Sequence, residues 1–180
     1  NLTRITLGTH SGTHMDAPWH YIPEGKTIEA VTLEQTIGPC HVVSMEGKLT
    51  REILEHTVPE DCERLLIHGE IELTSEGAGY LAGRNLQLLG VEGMTVGSEE
   101  TTDQVHRTLL ETGMVILENL DMSKPAPGRY VLVAAPLRMK GMDGSPVRAV
   151  LMEGENLQLT PKCESAAESG SGRKLVLFDL

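Results

Sequence analysis

Arg64-Leu-Leu-Ile-His68 is a short run in which three consecutive apolar residues are bounded by polar ones. A run of this length and composition predicts a buried β-strand. Similar runs occur at residues 41–45, 86–91, 114–118, 130–135 and 147–152, and residues 3–7 alternate as a half-buried strand would. Three helical patterns lie between the runs, at about residues 51–56, 75–83 and 100–112. Strands that alternate with helices in this way predict an α/β fold with a central sheet.

The chain of 180 residues is long enough for one domain with a substantial core, and we assign that domain to residues 1–160. Ser98 is expected to cap the third helix, and Gly113 is well placed to end it. Residues 161–173 are rich in glycine and serine, which predicts a flexible linker. Residues 174–180 are strand-like again, so we expect them to pair at an edge of the sheet.

Composition excludes several classes of function. The net charge is −11 and aromatic residues make up 3%, which argues against binding of nucleic acid. The apolar runs are far shorter than the roughly 18 residues that a membrane span needs. The three cysteines, Cys40, Cys62 and Cys163, are scattered and odd in number. That pattern suits a protein of the reducing cytoplasm better than a disulfide-stabilised one.

The segment His10-Ser-Gly-Thr-His14-Met-Asp16 carries the strongest chemical signal, and His20 follows four residues later. Imidazole and carboxylate are the ligands that zinc and related divalent ions prefer. A glycine and a proline within the segment argue against a regular helix and favour a strand that leads into a tight loop. Four candidate ligands within eleven residues therefore predict a metal site, whereas the alternative is a chance cluster of polar residues.

Two further residues could complete this site. His106 lies on the third predicted helix, and its spacing alone favours a core or capped histidine. Glu118 ends a buried apolar strand, where a carboxylate is costly unless it is paired, bound to metal or at the solvent-exposed rim. The remaining histidines have no ligand-like spacing and are interpreted as structural or exposed: His41, His56 and His68.

The stretch from His10 to His20 resembles the signature His-x-Gly-Thr-His-x-Asp-x-Pro-x-His of the cyclase family of metal-dependent hydrolases. This family includes bacterial kynurenine formamidase and isatin hydrolase. Residues 113–120 and 136–148 also resemble family segments, so that the resemblance covers about residues 1–152. It implies a single-domain swivelling β/β/α fold, assembled as a homodimer or homotetramer. The family's chains begin with a further strand, and residues 174–180 resemble that strand.

The resemblance also implies roles for individual residues. His10, His14 and Asp16 would bind a first metal, and Asp16 would bridge to a second. His106 and Glu118 match the remaining ligands of that second metal. His20 matches the catalytic acid/base. The cofactor implied is Zn²⁺, one or two ions per chain, with Mn²⁺ as the alternative.

The predicted function is metal-dependent hydrolysis of a small-molecule amide, as in kynurenine formamidase, with metal-activated water attacking the amide carbonyl. Trp19 could stack on an aryl substrate, or it could anchor its loop by packing. Residues 144–146 and Arg148 are interpreted as a turn that leads into a strand. Two alternatives remain: hydrolysis of a cyclic amide such as isatin or a lactam, and a non-catalytic binding domain that the metal stabilises.

Overall fold

A computed structural model describes residues 1–153 and 176–180 of the protein. The strands within these ranges are β1 (His14–Asp16), β2 (Ile37–Ser44), β3 (Gly47–Leu49), β4 (Arg64–His68), β5 (Ile71–Leu73), β6 (Leu88–Val91), β7 (Val115–Glu118), β8 (Gly128–Val133), β9 (Gly144–Pro146), β10 (Val150–Glu153) and β11 (Val176–Asp179). The helices are α1 (Leu33–Thr36), α2 (Arg51–Thr57), α3 (Ser75–Ala82) and α4 (Thr102–Leu110). Two 3₁₀ turns occur at Pro18–His20 and Ile28–Ala30.

Within the described residues, nine strands form one mixed sheet in the order β11-β10-β8-β2-β4-β6-β7-β1-β9, and β3 pairs with β5 separately. The four central strands, β2, β4, β6 and β7, are parallel. Antiparallel strands flank them on both sides, and β1 lies between β7 and β9. The sheet therefore brings the start of the chain beside β7 and the distant segment that contains β9.

The strands β4, β6 and β7 are apolar along most of their length, because both faces of the sheet are covered there. Leu65 and Ile67 of β4 pack into the cluster that contains the helix residues Leu54 and Leu109, whereas Leu66 packs into the cluster on the opposite face. Burial of each such side chain contributes roughly 1.5–3 kcal/mol. The sheet is thus a rigid platform for any residue at its strand ends.

Threonines define the starts of the helices that follow the small strands. Thr50 accepts a hydrogen bond from the backbone N–H of Ile53 at 3.5 Å, and Thr74 accepts one from that of Gly77 at 3.1 Å. Such caps satisfy N–H groups that have no partner within the helix. The helices α2, α3 and α4 then pack side by side on one face of the sheet.

The predicted α/β fold with its central sheet is confirmed, and the predicted buried strands and three helices are present with shifts at their ends. Three local predictions were wrong. Residues 144–146, interpreted as a turn, form the strand β9, which pairs with β1. Residues 1–8 form no regular secondary structure, and Ile5 and Leu7 are exposed rather than half-buried in a sheet. Thr101, not Ser98, precedes α4, because the Ser98 carbonyl accepts the backbone N–H groups of Thr101 and Thr102 in an extra turn.

The tail strand β11 lies at an edge of the sheet and pairs antiparallel with β10. The segment predicted as a flexible linker, residues 161–173, lies outside the described residues. The resemblance of residues 174–180 to the family's first strand stays a prediction. None of the helices in the described ranges is long and apolar enough to cross a membrane.

Candidate metal centre

Three neighbouring elements carry the predicted ligands to one place. In β1, His14 and Asp16 share one side of the strand, while Met15 between them points into the apolar core. The pairing of β1 with β7 sets His14 opposite Glu118. Helix α4 supplies His106, which is buried against the same cluster. These groups are buried because β1 is paired on both sides, with β7 and with β9, and helix α4 covers it at His106.

Asp16 is the centre of the cluster and is 1% exposed. Its Oδ1 lies 2.8 Å from His10 Nδ1 and 3.5 Å from His14 Nε2. Its Oδ2 lies 3.5 Å from His106 Nε2 but accepts no hydrogen bond. One carboxylate therefore faces three imidazoles with one oxygen still unsatisfied.

Glu118 completes the second half of the cluster. Its Oε1 lies 3.2 Å from His106 Nε2, and its Oε2 lies 3.4 Å from His14 Nε2. Glu118 is 4% exposed, which excludes the alternative of a solvent-facing carboxylate at the rim. The Nδ1 atoms of His14 and His106 lie 2.8 Å from the backbone carbonyls of Gly12 and Thr102. Those bonds orient both rings with Nε2 toward the carboxylates.

A third carboxylate, that of Asp143, contacts the outer part of the site. Its Oδ2 lies 3.0 Å from His10 Nε2 and 3.2 Å from His20 Nδ1, and its Oδ1 accepts a hydrogen bond from Thr9 Oγ1 at 2.8 Å. The rings of His10 and His20 lie 4.0 Å apart between centroids. His20, on the 3₁₀ turn after β1, is thereby placed next to the cluster.

The electrostatics reflect the close packing of opposite charges. The hydrogen bond to Asp16 raises the pKa of His10 to about 9 against the effect of burial. Burial lowers the pKa of His106, but its contacts with Asp16 and Glu118 outweigh burial and raise that pKa to about 9. Burial would raise the pKa of Asp16, yet the histidines hold it well below its usual range. These pKa shifts favour protonated imidazoles beside ionised carboxylates at neutral pH.

The donor set fits one or two divalent metal ions. Two groups of side chains have ligand atoms within 4.8 Å of one another: His10, Asp16 and His20, and His14, Asp16 and Glu118. Asp16 belongs to both groups. The unsatisfied Oδ2 of this buried carboxylate is costly unless a cation or another donor meets it. Neutral imidazole and carboxylate are the ligands that such a cation prefers.

The cluster opens into a cavity of about 480 Å³. His14, His20, His106 and Glu118 line it together with Tyr21, whose ring stacks on that of His106 at 4.5 Å. Trp19 does not line this cavity, and its side chain is 44% exposed. Tyr21, rather than Trp19, is the aromatic residue at the site.

The structure brings together all six residues that sequence predicted as ligands or acid/base: His10, His14, Asp16, His20, His106 and Glu118. Sequence reasoning gave no role to Asp143 or Tyr21. Tyr21 directly follows His20, so proximity in the chain could have suggested it. Asp143 is 133 positions from His10, and only the pairing of β9 with β1 brings the two together. Gly144 in β9 also neighbours the site.

A buried cluster of histidines and carboxylates at the mouth of an open cavity, on a mixed α/β sheet, defines the class of metal-centred enzymes. Comparisons with known proteins narrow this class. Residues 2–98 match the family model described as putative cyclase. Kynurenine formamidase from Bacillus cereus is 32% identical over 166 residues, which cover 84% of this chain and 79% of that one. The chain belongs to the cyclase family.

Solved structures agree with this assignment. A structure described as a potential metal-dependent hydrolase with cyclase activity matches with a TM-score of 0.77 and 28% identity, over 82% of this chain and 81% of that one. Isatin hydrolase A from Labrenzia aggregata matches with a TM-score of 0.69 and 26% identity, over 81% and 74% of the two chains. The predicted cyclase-like fold and family are thus confirmed.

Proposed function

We propose that the protein hydrolyses a small aryl amide, in the manner of kynurenine formamidase, with the aid of divalent metal. The observation that carries the proposal is the central position of Asp16, whose two oxygens face three imidazoles while Oδ2 accepts no hydrogen bond. The match to kynurenine formamidase supports the substrate class. The open cavity supports catalysis over a purely structural metal site, which has a closed ligand shell.

Asp16 would bridge two ions. Following the family resemblance, we assign His10 and His14 to the first and His106 and Glu118 to the second, with Asp16 common to both. By distance alone, His20 groups with His10 and Asp16, and His14 groups with Asp16 and Glu118. The ions would be zinc, with manganese as the alternative, because imidazole nitrogen and carboxylate oxygen suit both. A metal held here supplies a Lewis acid for the amide carbonyl and makes water a stronger nucleophile near neutral pH.

His20 would move the proton that the leaving nitrogen needs. Its Nδ1 contacts Asp143 at 3.2 Å, so Nε2 is the nitrogen left to exchange a proton with substrate. The side chain lines the cavity beside Glu118 and His14, within reach of a bound amide. General acid/base catalysis of this kind contributes roughly 10²–10⁴-fold in rate.

The cavity favours a compact substrate with an aromatic part. A volume of about 480 Å³ lies within the usual range for small-molecule sites. Tyr21 offers an aromatic surface to one side, and Met94 adds an apolar one. Trp19 would contact an aryl group only if substrate extended beyond the cavity, because it is not part of the lining.

The experiment is a substrate screen of the metal-loaded protein. N-formyl aryl amines should be hydrolysed faster than isatin or simple lactams, and His20→Ala should retain metal while kcat falls by about 10²–10⁴-fold. The matched control is His56→Ala, because His56 is exposed on α2 and its Nδ1 lies 2.7 Å from the carbonyl of Glu52 in its own helix. Preference for cyclic amides would favour the isatin hydrolase-like alternative, which the structural likeness to isatin hydrolase A supports.

The non-catalytic alternative makes a different prediction. A binding domain stabilised by metal should unfold when the metal is removed, and it should hydrolyse neither class of amide. Retention of the fold without metal, together with amide hydrolysis when metal is present, would exclude it.

We further propose a homodimer or homotetramer in the cytoplasm. Exposed apolar side chains of Ile5, Leu7, Leu137 and Met142 line one surface cavity, and such patches often mark protein interfaces. Cys40 and Cys62 are free thiols in the buried core, as a reducing compartment allows. Light scattering should give a mass of two or four chains, and Leu137→Asp should lower it. A monomeric native protein would contradict the proposal.

A further inference from the structure

Asp143 contacts two functional histidines through a single oxygen atom. Its Oδ2 lies 3.0 Å from His10 Nε2 and 3.2 Å from His20 Nδ1. The first of these rings belongs to a proposed metal ligand and the second to the proposed acid/base. A carboxylate that reaches both can therefore affect metal binding and proton transfer through the same atom.

The carboxylate of Asp143 is itself held in place. Thr9 Oγ1 donates to Oδ1 at 2.8 Å, which leaves Oδ2 for the two imidazoles. The Asp143 carbonyl accepts the backbone N–H of Ala17 at 2.9 Å, so its backbone is tied to the end of β1. Gly144, the next residue, pairs with Asp16 across the β1–β9 ladder. The ladder that positions the central ligand thus positions Asp143 as well.

The two hydrogen bonds also determine which ring nitrogens are available. His10 directs Nε2 to Asp143 and Nδ1 to Asp16 at 2.8 Å. When Nε2 carries the proton, the lone pair of Nδ1 is free for a metal. His20 directs Nδ1 to the same carboxylate, which reserves Nε2 for substrate.

We propose that Asp143 is a positioning residue that holds His10 in its metal-binding orientation and His20 in its proton-transfer orientation through one shared carboxylate oxygen. Both rings are partly exposed, so packing on their buried sides does not by itself fix which nitrogen each ring presents to the site. Asp143 is itself about one-third exposed. Its loss should therefore leave the core intact.

The inference rests on the proposed function for its catalytic part but not for its metal part. Removal of a carboxylate that orients a metal-bound histidine lowers metal affinity or activity by about 10–100-fold. In Asp143→Ala, we therefore expect zinc affinity, measured by competition with a chromophoric chelator, to fall by about that factor. At saturating zinc, kcat should fall by a similar factor, while KM changes little because Asp143 does not line the cavity.

A graded series separates positioning from general damage. Asp143→Asn keeps an oxygen that can accept from an imidazole, so it should recover part of the zinc affinity and of kcat. Thr9→Val removes only the bond to Oδ1 and should give a smaller loss in the same direction. The matched control is Asp61→Asn, which removes the charge of an exposed aspartate that contacts His41 and Arg129 outside the site. This control should behave as the native protein does.

The outcomes discriminate clearly. Unchanged zinc affinity and kcat in Asp143→Ala would overturn the proposal, as would equal losses in the Asp61 control. If Asp143→Ala does not fold, the Thr9→Val and Asp143→Asn proteins test the same bonds, and native zinc affinity in both would overturn it. If no amide is hydrolysed by the native protein, the proposed function fails, whereas zinc affinity still tests the role of Asp143 toward His10.

Discussion

Gly144→Ala is the change that tests the geometry of the site most finely, because it adds a single methyl group. A Cβ at this position would lie 2.8 Å from His10 Cε1 and 2.8 Å from the carbonyl oxygen of Met15. The backbone angle φ of Gly144 is not positive, so alanine itself is allowed there. The substitution therefore acts through contact with its neighbours rather than through backbone strain.

The expected loss of stability and activity follows from how far each of these two contacts falls short of van der Waals distance. Each contact is about 0.6 Å short of 3.4 Å, where ordinary van der Waals contact begins. The Met15 oxygen belongs to the backbone of β1, so relief of that contact must shift the β1–β9 ladder, and relief of the other contact must displace the His10 ring. Overpacking of this kind costs about 1–3 kcal/mol of unfolding free energy. A displacement approaching 1 Å at a reacting site costs on the order of 10²-fold in rate.

The assay combines zinc affinity, kcat/KM and thermal unfolding of Gly144→Ala. Zinc affinity and kcat/KM should both fall, and Tm should drop by roughly 2–4 °C for each kcal/mol. Gly79→Ala is the matched control, because an added Cβ there meets nothing within 4 Å and glycine within a helix costs about 0.5–1 kcal/mol relative to alanine. Native zinc affinity and activity in Gly144→Ala would refute the placement of His10 against β9.

Three further predictions concern the charges and the scaffold. The pKa values of His10 and His106 are raised to about 9, so both side chains are expected to be protonated at pH 7 without metal. Zinc binding should therefore release protons, and zinc affinity should increase with pH up to about pH 9. Calorimetry in buffers of different ionisation enthalpy measures the number of protons released, and a value of zero would contradict this prediction. Asp16→Asn should weaken both metal sites, whereas Glu118→Gln should weaken only the second; elemental analysis that finds full metal in Asp16→Asn would exclude bridging. Thr74→Ala should cost about 1 kcal/mol in denaturant unfolding through loss of the α3 cap, with unchanged kcat, and equal stability would contradict the role of that cap.

In the apo protein, the same raised pKa values stabilise the fold on the acidic side. A histidine whose folded pKa lies above its unfolded value of about 6.5 adds its full stabilisation below pH 6.5. That contribution is lost as the pH rises through about 9 for His10 and His106. A bound metal would interact with the same carboxylates in place of the protonated imidazoles.

The sheet was predictable because its central strands are continuous apolar runs. Leu65, Leu66 and Ile67 are all fully buried, and no solvent-facing alternation obscures the pattern. Residues 3–7 do alternate, yet they remain exposed, because alternation alone does not supply a pairing partner. The N-cap of α4 is Thr101 instead of Ser98, because the Ser98 carbonyl accepts the backbone N–H groups of Thr101 and Thr102 in an extra turn before the helix.

The site was predictable only where its parts are close in sequence or carry a family signature. His10, His14, Asp16 and His20 lie within eleven residues, and β1 with its following 3₁₀ turn brings them together. Asp143 escaped prediction because a lone aspartate before a short strand has no local signal. Its contact with His10 exists only through the long-range pairing of β9 with β1.

Metal reconstitution tests the central claim most directly. The protein is stripped with a chelator, its fold is checked by circular dichroism, and zinc or manganese is added back in measured equivalents while hydrolysis of an N-formyl aryl amine is followed. We predict that the folded apo protein is inactive and that activity returns in proportion to added metal, saturating at one or two equivalents per chain. Full hydrolytic activity in metal-free protein, or no activity at saturating metal with every amide of the screen, would contradict a metal-dependent amide hydrolase.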